Sequence, residues 1–118
     1  MNNEVLLVGI ALILMHEMDA IRCKEWRIIP GLSYLNEKLG FKIFILVHLP
    51  IFYWALSKFL KGSESFIIGF DIFLIIHLML HIIFIFHKKN EFKDLISWSI
   101  IIGAGLCGAI DLYLNPSI

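Results

Sequence analysis

The chain has 118 residues, with ten basic and ten acidic side chains and a formal net charge of zero. That balance gives no basic stripe for nucleic acid to bind. Apolar residues make up 59% and the mean hydropathy is +0.85, against roughly 45–50% apolar in soluble domains. A soluble globular domain is therefore excluded, and the expected solvent is lipid. The two cysteines, Cys23 and Cys107, are too few for a disulfide framework, and the length suits a single domain over 1–118.

The N-terminal Met1-Asn2-Asn3-Glu4 lacks the basic region of a secretory signal, so the first apolar segment is expected to be retained. A spanning helix needs about 20 mostly apolar residues. Four segments meet that need, at about 4–22, 41–59, 66–87 and 95–114. Gly40 punctuates the chain before the second, and Lys61-Gly62-Ser63 separates the second from the third. His87-Lys88-Lys89-Asn90 closes the third, and Asn115-Pro116 stops the fourth. The fold class predicted is an all-α integral membrane four-helix bundle.

The connection Cys23–Gly40 mixes Trp26, Ile28, Ile29, Leu32, Leu35 and Leu39 with Arg27, Asn36, Glu37 and Lys38. It reads as a short interfacial helix with Trp26 and Tyr34 as anchors, an ordinary surface loop being the alternative. Arg22, Lys24, Arg27, Lys38 and Lys42 flank the first connection, and Lys88, Lys89 and Lys93 the third. The second has Lys58 and Lys61, which makes eight basic residues against two. The positive-inside rule then predicts a multi-pass protein of the inner (cytoplasmic) membrane, with N-terminus and C-terminus both outside.

That topology gives the histidines a depth. His16 and His81 each lie six residues before the cytoplasmic end of a helix, His48 seven residues after the start of one, and His77 a turn deeper than His81. At about 1.5 Å per residue, three helices carry imidazoles to one level, roughly 9–15 Å below the inner surface. His16 and Asp19 share a face at i,i+3, as do His77 and His81 at i,i+4; Glu17 points about 100° from His16. An ionisable group at mid-helix costs on the order of 2.5–3.5 kcal/mol to insert, whereas a polar contact that glues helices returns about 0.6 kcal/mol. Function therefore explains this cluster better than packing does. The metal ligands expected are His16, His48, His77 and His81, with Asp19 or Glu17 as general base. Zinc or iron leads among divalent metals, and haem trails because the cluster is compact and flanked by carboxylates. His87, beside two lysines, reads as interfacial, and Asp71 and Asp111 carry no assigned chemistry; they are expected to meet each other or Asn2-Asn3.

Two apparent motifs carry less than their letters suggest. Gly103-Ala104-Gly105-Leu106-Cys107-Gly108 fits G-x-G-x-x-G, but it lies mid-helix without a preceding strand and reads as small-residue helix packing. His16-Glu17-Met18-Asp19-Ala20 begins like H-E-x-x-H, but Ala20 stands where the second His must be.

The whole chain resembles an uncharacterised bacterial family of small four-helix membrane proteins, a domain of unknown function. The residues that carry the likeness are His16-Glu17-Met18-Asp19-Ala20, Glu25-Trp26-Arg27 with Pro30, His48-Leu49-Pro50, His77 with Leu80-His81, and Ser97-Trp98. The His16/Asp19 spacing is also similar to that of the HXXEE membrane family, with Asp here for its Glu. The resemblance implies the fold and the polar site, and no activity. Among functions, the leading expectation is a metal-dependent membrane enzyme acting on a lipid or amphiphile. Proton or metal-ion transport by a homo-oligomer, a haem protein and a non-catalytic partner subunit are the alternatives. The partner common to all four is the bilayer.

Overall fold

The computed structural model describes residues 3–116, and among them all regular structure is helical. Four α-helices follow in order: α1 (Glu4–Arg22), α2 (Glu37–Leu60), α3 (Glu64–Ile83) and α4 (Leu95–Leu114). Asn2 lies outside the described residues. Three of the helices, α2, α3 and α4, are long and apolar enough to cross a membrane. α1 is comparable in length but carries Glu4, Glu17, Asp19 and Arg22.

Side-chain caps set three helix starts. Asn36 accepts from the Leu39 amide before α2, Ser63 from Phe66 before α3, and Asp94 from Ser97 before α4. Because Asn36 starts α2 at Glu37, Gly40 falls inside the helix, one turn earlier than the sequence suggests. There the missing side chain gives room to Trp26, whose ring would lie 3.1 Å from an added Cβ. α3 continues as a 3-10 turn over Phe84–Phe86.

The connection from α1 to α2 is not a continuous short helix. Two 3-10 turns, Glu25–Arg27 and Leu32–Tyr34, are separated by Pro30-Gly31, where Gly31 has φ 93°. Proline followed by a left-handed residue stops helical propagation, so the apolar residues are distributed over two turns. Trp26 is buried and Tyr34 is 90% exposed. Trp26 Nε1 and Arg27 both bond to Glu37, and Arg27 also faces Glu91, which fastens this segment to the start of α2 and to the α3–α4 connection.

α4 is the central packing element, lying against both α1 and α3. Its glycines make that possible. A Cβ at Gly108 would lie 2.6 Å from the Asp71 carbonyl oxygen, and one at Gly105 would lie 2.5 Å from the Leu78 side chain. The helix axes are therefore closer than any residue with a side chain permits. α2 stands apart. It touches chiefly the 3-10 segment and the foot of α3, and Leu46, Leu49, Tyr53 and Trp54 are exposed along it. Such a face is suited to lipid.

Candidate metal centre

His16 comes from α1, and His77 and His81 come from successive turns of α3. All three are buried. Their ring centroids lie 4.3 Å apart for His16–His77, 4.8 Å for His16–His81 and 4.6 Å for His77–His81. Phe92, from the segment before α4, closes one side: it stacks on His16 at 5.4 Å and meets His81 edge-on at 4.6 Å. Its position is fixed by the Asn90 side chain, which accepts from the Phe92 amide, and by Trp98 Nε1, which donates to the Phe92 carbonyl at 2.7 Å.

The fourth member is Glu25. Lys24 adopts a left-handed conformation, φ 52°, immediately after α1, and this reverses the chain so that Glu25 points back at the bundle. One carboxylate oxygen lies 3.4 Å from His16 Nε2 and the other 3.5 Å from His81 Nε2. Burial pushes the Glu25 carboxyl up, but the neighbouring His16 and His81 imidazoles outweigh it and hold the group well below the usual carboxylate range.

His16, Glu25, His77 and His81 each offer a ligand atom within 4.8 Å of all the others. Donors bound to one tetrahedral zinc at about 2.0–2.1 Å stand about 3.3 Å apart, so the Glu25 distances are already close to those of a shared ion. Five buried imidazole nitrogens have no hydrogen-bond partner among the described residues: both of His16, both of His77, and His81 Nδ1. Each buried unpaired polar group costs about 1–3 kcal/mol, and three adjacent neutral rings, each with one nitrogen lone pair to give, fit a group that takes lone pairs. An N3O donor set of neutral imidazoles and one carboxylate suits zinc or iron.

The sequence-predicted residues divide. His16, His77 and His81 are brought together. His48 is not with them: its Nε2 pairs with Glu17 at 2.7 Å, and its Nδ1 contacts the Phe44 carbonyl one turn back. The physical reason is that α2 stands apart from the bundle, which leaves His48 paired with Glu17 instead of the other imidazoles. Asp19 is also outside the group, with one oxygen accepting from Arg22 Nε at 2.8 Å and the other from the Ser97 hydroxyl. Arg22 bonds in turn to Asp94 and Ser97, so this network fastens the end of α1 to the start of α4. Glu25 was missed because attention to helical spacing passes over a residue in a connection; its place beside Trp26-Arg27 in the family likeness was the available signal.

A cavity of about 300 Å³ adjoins the centre. Glu25, His77 and His81 form its polar wall, and the remainder is apolar, from Ile28, Ile29 and Pro30 on the connection and Leu80 and Phe84 on α3. Three of the four donors thus face one space.

At the other end of the bundle Asp71 and Asp111 are buried and their carboxyl groups meet. Asn115 Nδ2 donates to Asp111 at 3.0 Å, while Asp71 Oδ1 has no partner. The space beside them is about 10 Å³, the size of one water.

A family described as "Family of unknown function (DUF6713)" matches residues 2–117, nearly the whole chain. The chain belongs to this family. Searches of curated proteins and of solved structures give no match. The function must therefore be argued from the site itself.

Proposed function

We propose that this protein is a four-span membrane protein with an intramembrane metal centre held by His16, Glu25, His77 and His81, and that it is a metal-dependent enzyme acting on a lipid or other amphiphile. The observation that carries the reading is the convergence of three imidazoles and a carboxylate with five nitrogens lacking protein partners. Zinc or iron is the metal the donor set favours. When bound, such an ion acts as a Lewis acid on a carbonyl or phosphoryl oxygen or on water. Because Glu25, His77 and His81 all border the cavity, a substrate there has direct access to the centre. Glu17, which neighbours His16 and is paired with His48, is the proton-transfer group; Asp19, with both oxygens engaged, positions α1 against α4.

The proposed orientation puts both termini outside and the metal centre in the cytoplasmic half of the inner membrane, supported by the eight-to-two distribution of basic residues. Single cysteines at Lys61 and Lys89 test it: labelling of position 89 from outside, with 61 protected, reverses the topology. For the centre itself, elemental analysis of protein purified without chelators is expected to give one zinc or iron per chain. A wild-type protein devoid of metal, or an His81→Ala variant with undiminished metal, overturns the proposal.

A further inference from the structure

The cavity beside the metal centre has a composition that selects its occupant. It is about 300 Å³, at the lower end of the roughly 300–1,000 Å³ typical of small-molecule sites. That suits one hydrocarbon chain better than two. Leu80 is 45% exposed on the outer side of α3, so the cavity is reached from the flank of the bundle rather than along its axis. Ile28, Ile29 and Pro30 of its apolar wall belong to the connection that also carries the exposed Tyr34. Charge decides the rest. Three neutral imidazoles and one carboxylate around a divalent ion leave a net charge of +1, and the polar wall adds no further acid beyond Glu25. Buried in low dielectric, that surplus attracts an anionic oxygen and repels a cationic head.

We infer that this cavity binds a single-chain amphiphile with an oxyanion head, the head directed at Glu25, His77 and His81 and the chain lying against Ile29, Leu80 and Phe84. The inference rests on the proposed metal centre. The oxyanion is a carboxylate or a phosphate, and the two share the chemistry used here: a hard anionic oxygen on a chain of apolar carbons.

Binding to the metal-loaded, full-length protein in detergent is measured with four ligands of equal chain length: dodecanoate, dodecyl phosphate, dodecanol and dodecyltrimethylammonium. One or both anions should bind at least tenfold more tightly than the alcohol and the ammonium, and whichever anion is preferred names the headgroup. Leu80→Trp and Ile29→Trp, which fill the cavity from opposite walls, should each weaken that binding at least tenfold while metal content stays at the wild-type level. Equal affinity for all four ligands overturns the inference, as does undiminished anion binding in both variants. Because metal content is read separately from ligand affinity, a metal-loaded protein that shows no preference for the anions marks failure here, whereas a protein without metal marks failure of the metal centre.

Discussion

The bundle buries two polar regions, and they are built on opposite principles. The one at the Asp71 end, outer in the proposed orientation, is nearly self-sufficient. Asp71 meets Asp111, Asn115 donates to Asp111, and the space left over is about 10 Å³. The inner one, with His16, His77 and His81, leaves five ring nitrogens unpaired and borders a cavity of about 300 Å³. Buried polar groups are costly in both places, but the outer region offsets that cost with contacts inside the chain, whereas the inner region leaves most of its ring nitrogens without a hydrogen-bond partner among the described residues. Internal pairing marks a polar cluster that holds helices together; convergent unpaired donors mark one that binds.

The contrast is broken most directly by removing donors. His77→Ala and Glu25→Gln are each expected to lower metal affinity by more than about 100-fold, since loss of mere supporting groups commonly costs about 10–100-fold. Asp71→Asn should leave it unchanged. Equilibrium dialysis against zinc reads all three, and a metal defect in Asp71→Asn would merge regions that are separated here.

Acid should weaken metal binding at the inner region. Metal competes with protons for each imidazole, so bound metal is expected to fall as the pH is lowered from 7 to 5. Glu25, held well below the usual carboxylate range, stays ionised through that interval and contributes nothing to the slope. A pH titration of bound metal that is flat from 7 to 5 would count against imidazole ligation.

Packing beside the outer region is expected to be more sensitive than its charges. Gly108→Leu inserts a side chain where even a Cβ meets the Asp71 carbonyl at 2.6 Å, and overpacking of this kind costs about 1–3 kcal/mol or more. Thermal unfolding in detergent should show a clear drop for Gly108→Leu and less for Gly69→Leu, where an added Cβ meets nothing within 4 Å. A smaller effect separates Asp71→Leu from Asp71→Asn. The amide can still donate to Asp111 and should lie within about 0.5 kcal/mol of wild type, while leucine leaves the partner unpaired at about 1–3 kcal/mol. Equal stability of the two would mean that the acid pair does not act as a hydrogen-bonded unit.

The four-helix, all-α architecture and the small-residue packing of α4 were legible in the sequence because both follow from local chain properties: apolar run length, caps and glycine spacing. The depth argument also put His16 and His81 at nearly one level, with His77 a turn deeper. Two things were not legible. Helical depth fixes height but not azimuth, so His48 could be given a depth without revealing that α2 stands apart and that its ring pairs with Glu17. Glu25 depends on a left-handed Lys24, a conformation that nothing in that residue's type foretells. A connection that turns back on its own helix is a tertiary event, and periodicity has no term for it.

The donors are divided evenly along the chain: His16 and Glu25 precede the turn at Gly62, and His77 and His81 follow it. Neither half owns a site. A cut at that turn would leave each fragment with two ligands, too few to keep a metal ion, so co-expressed fragments 1–62 and 63–118 would regain binding only by finding each other. The same division allows two copies to trade their first halves across an opened Gly62 turn and rebuild two full centres, each shared between molecules. With the proposed ion bound, metal supply would then favour assembled chains over separated ones, and the ion would read whether the two halves had met.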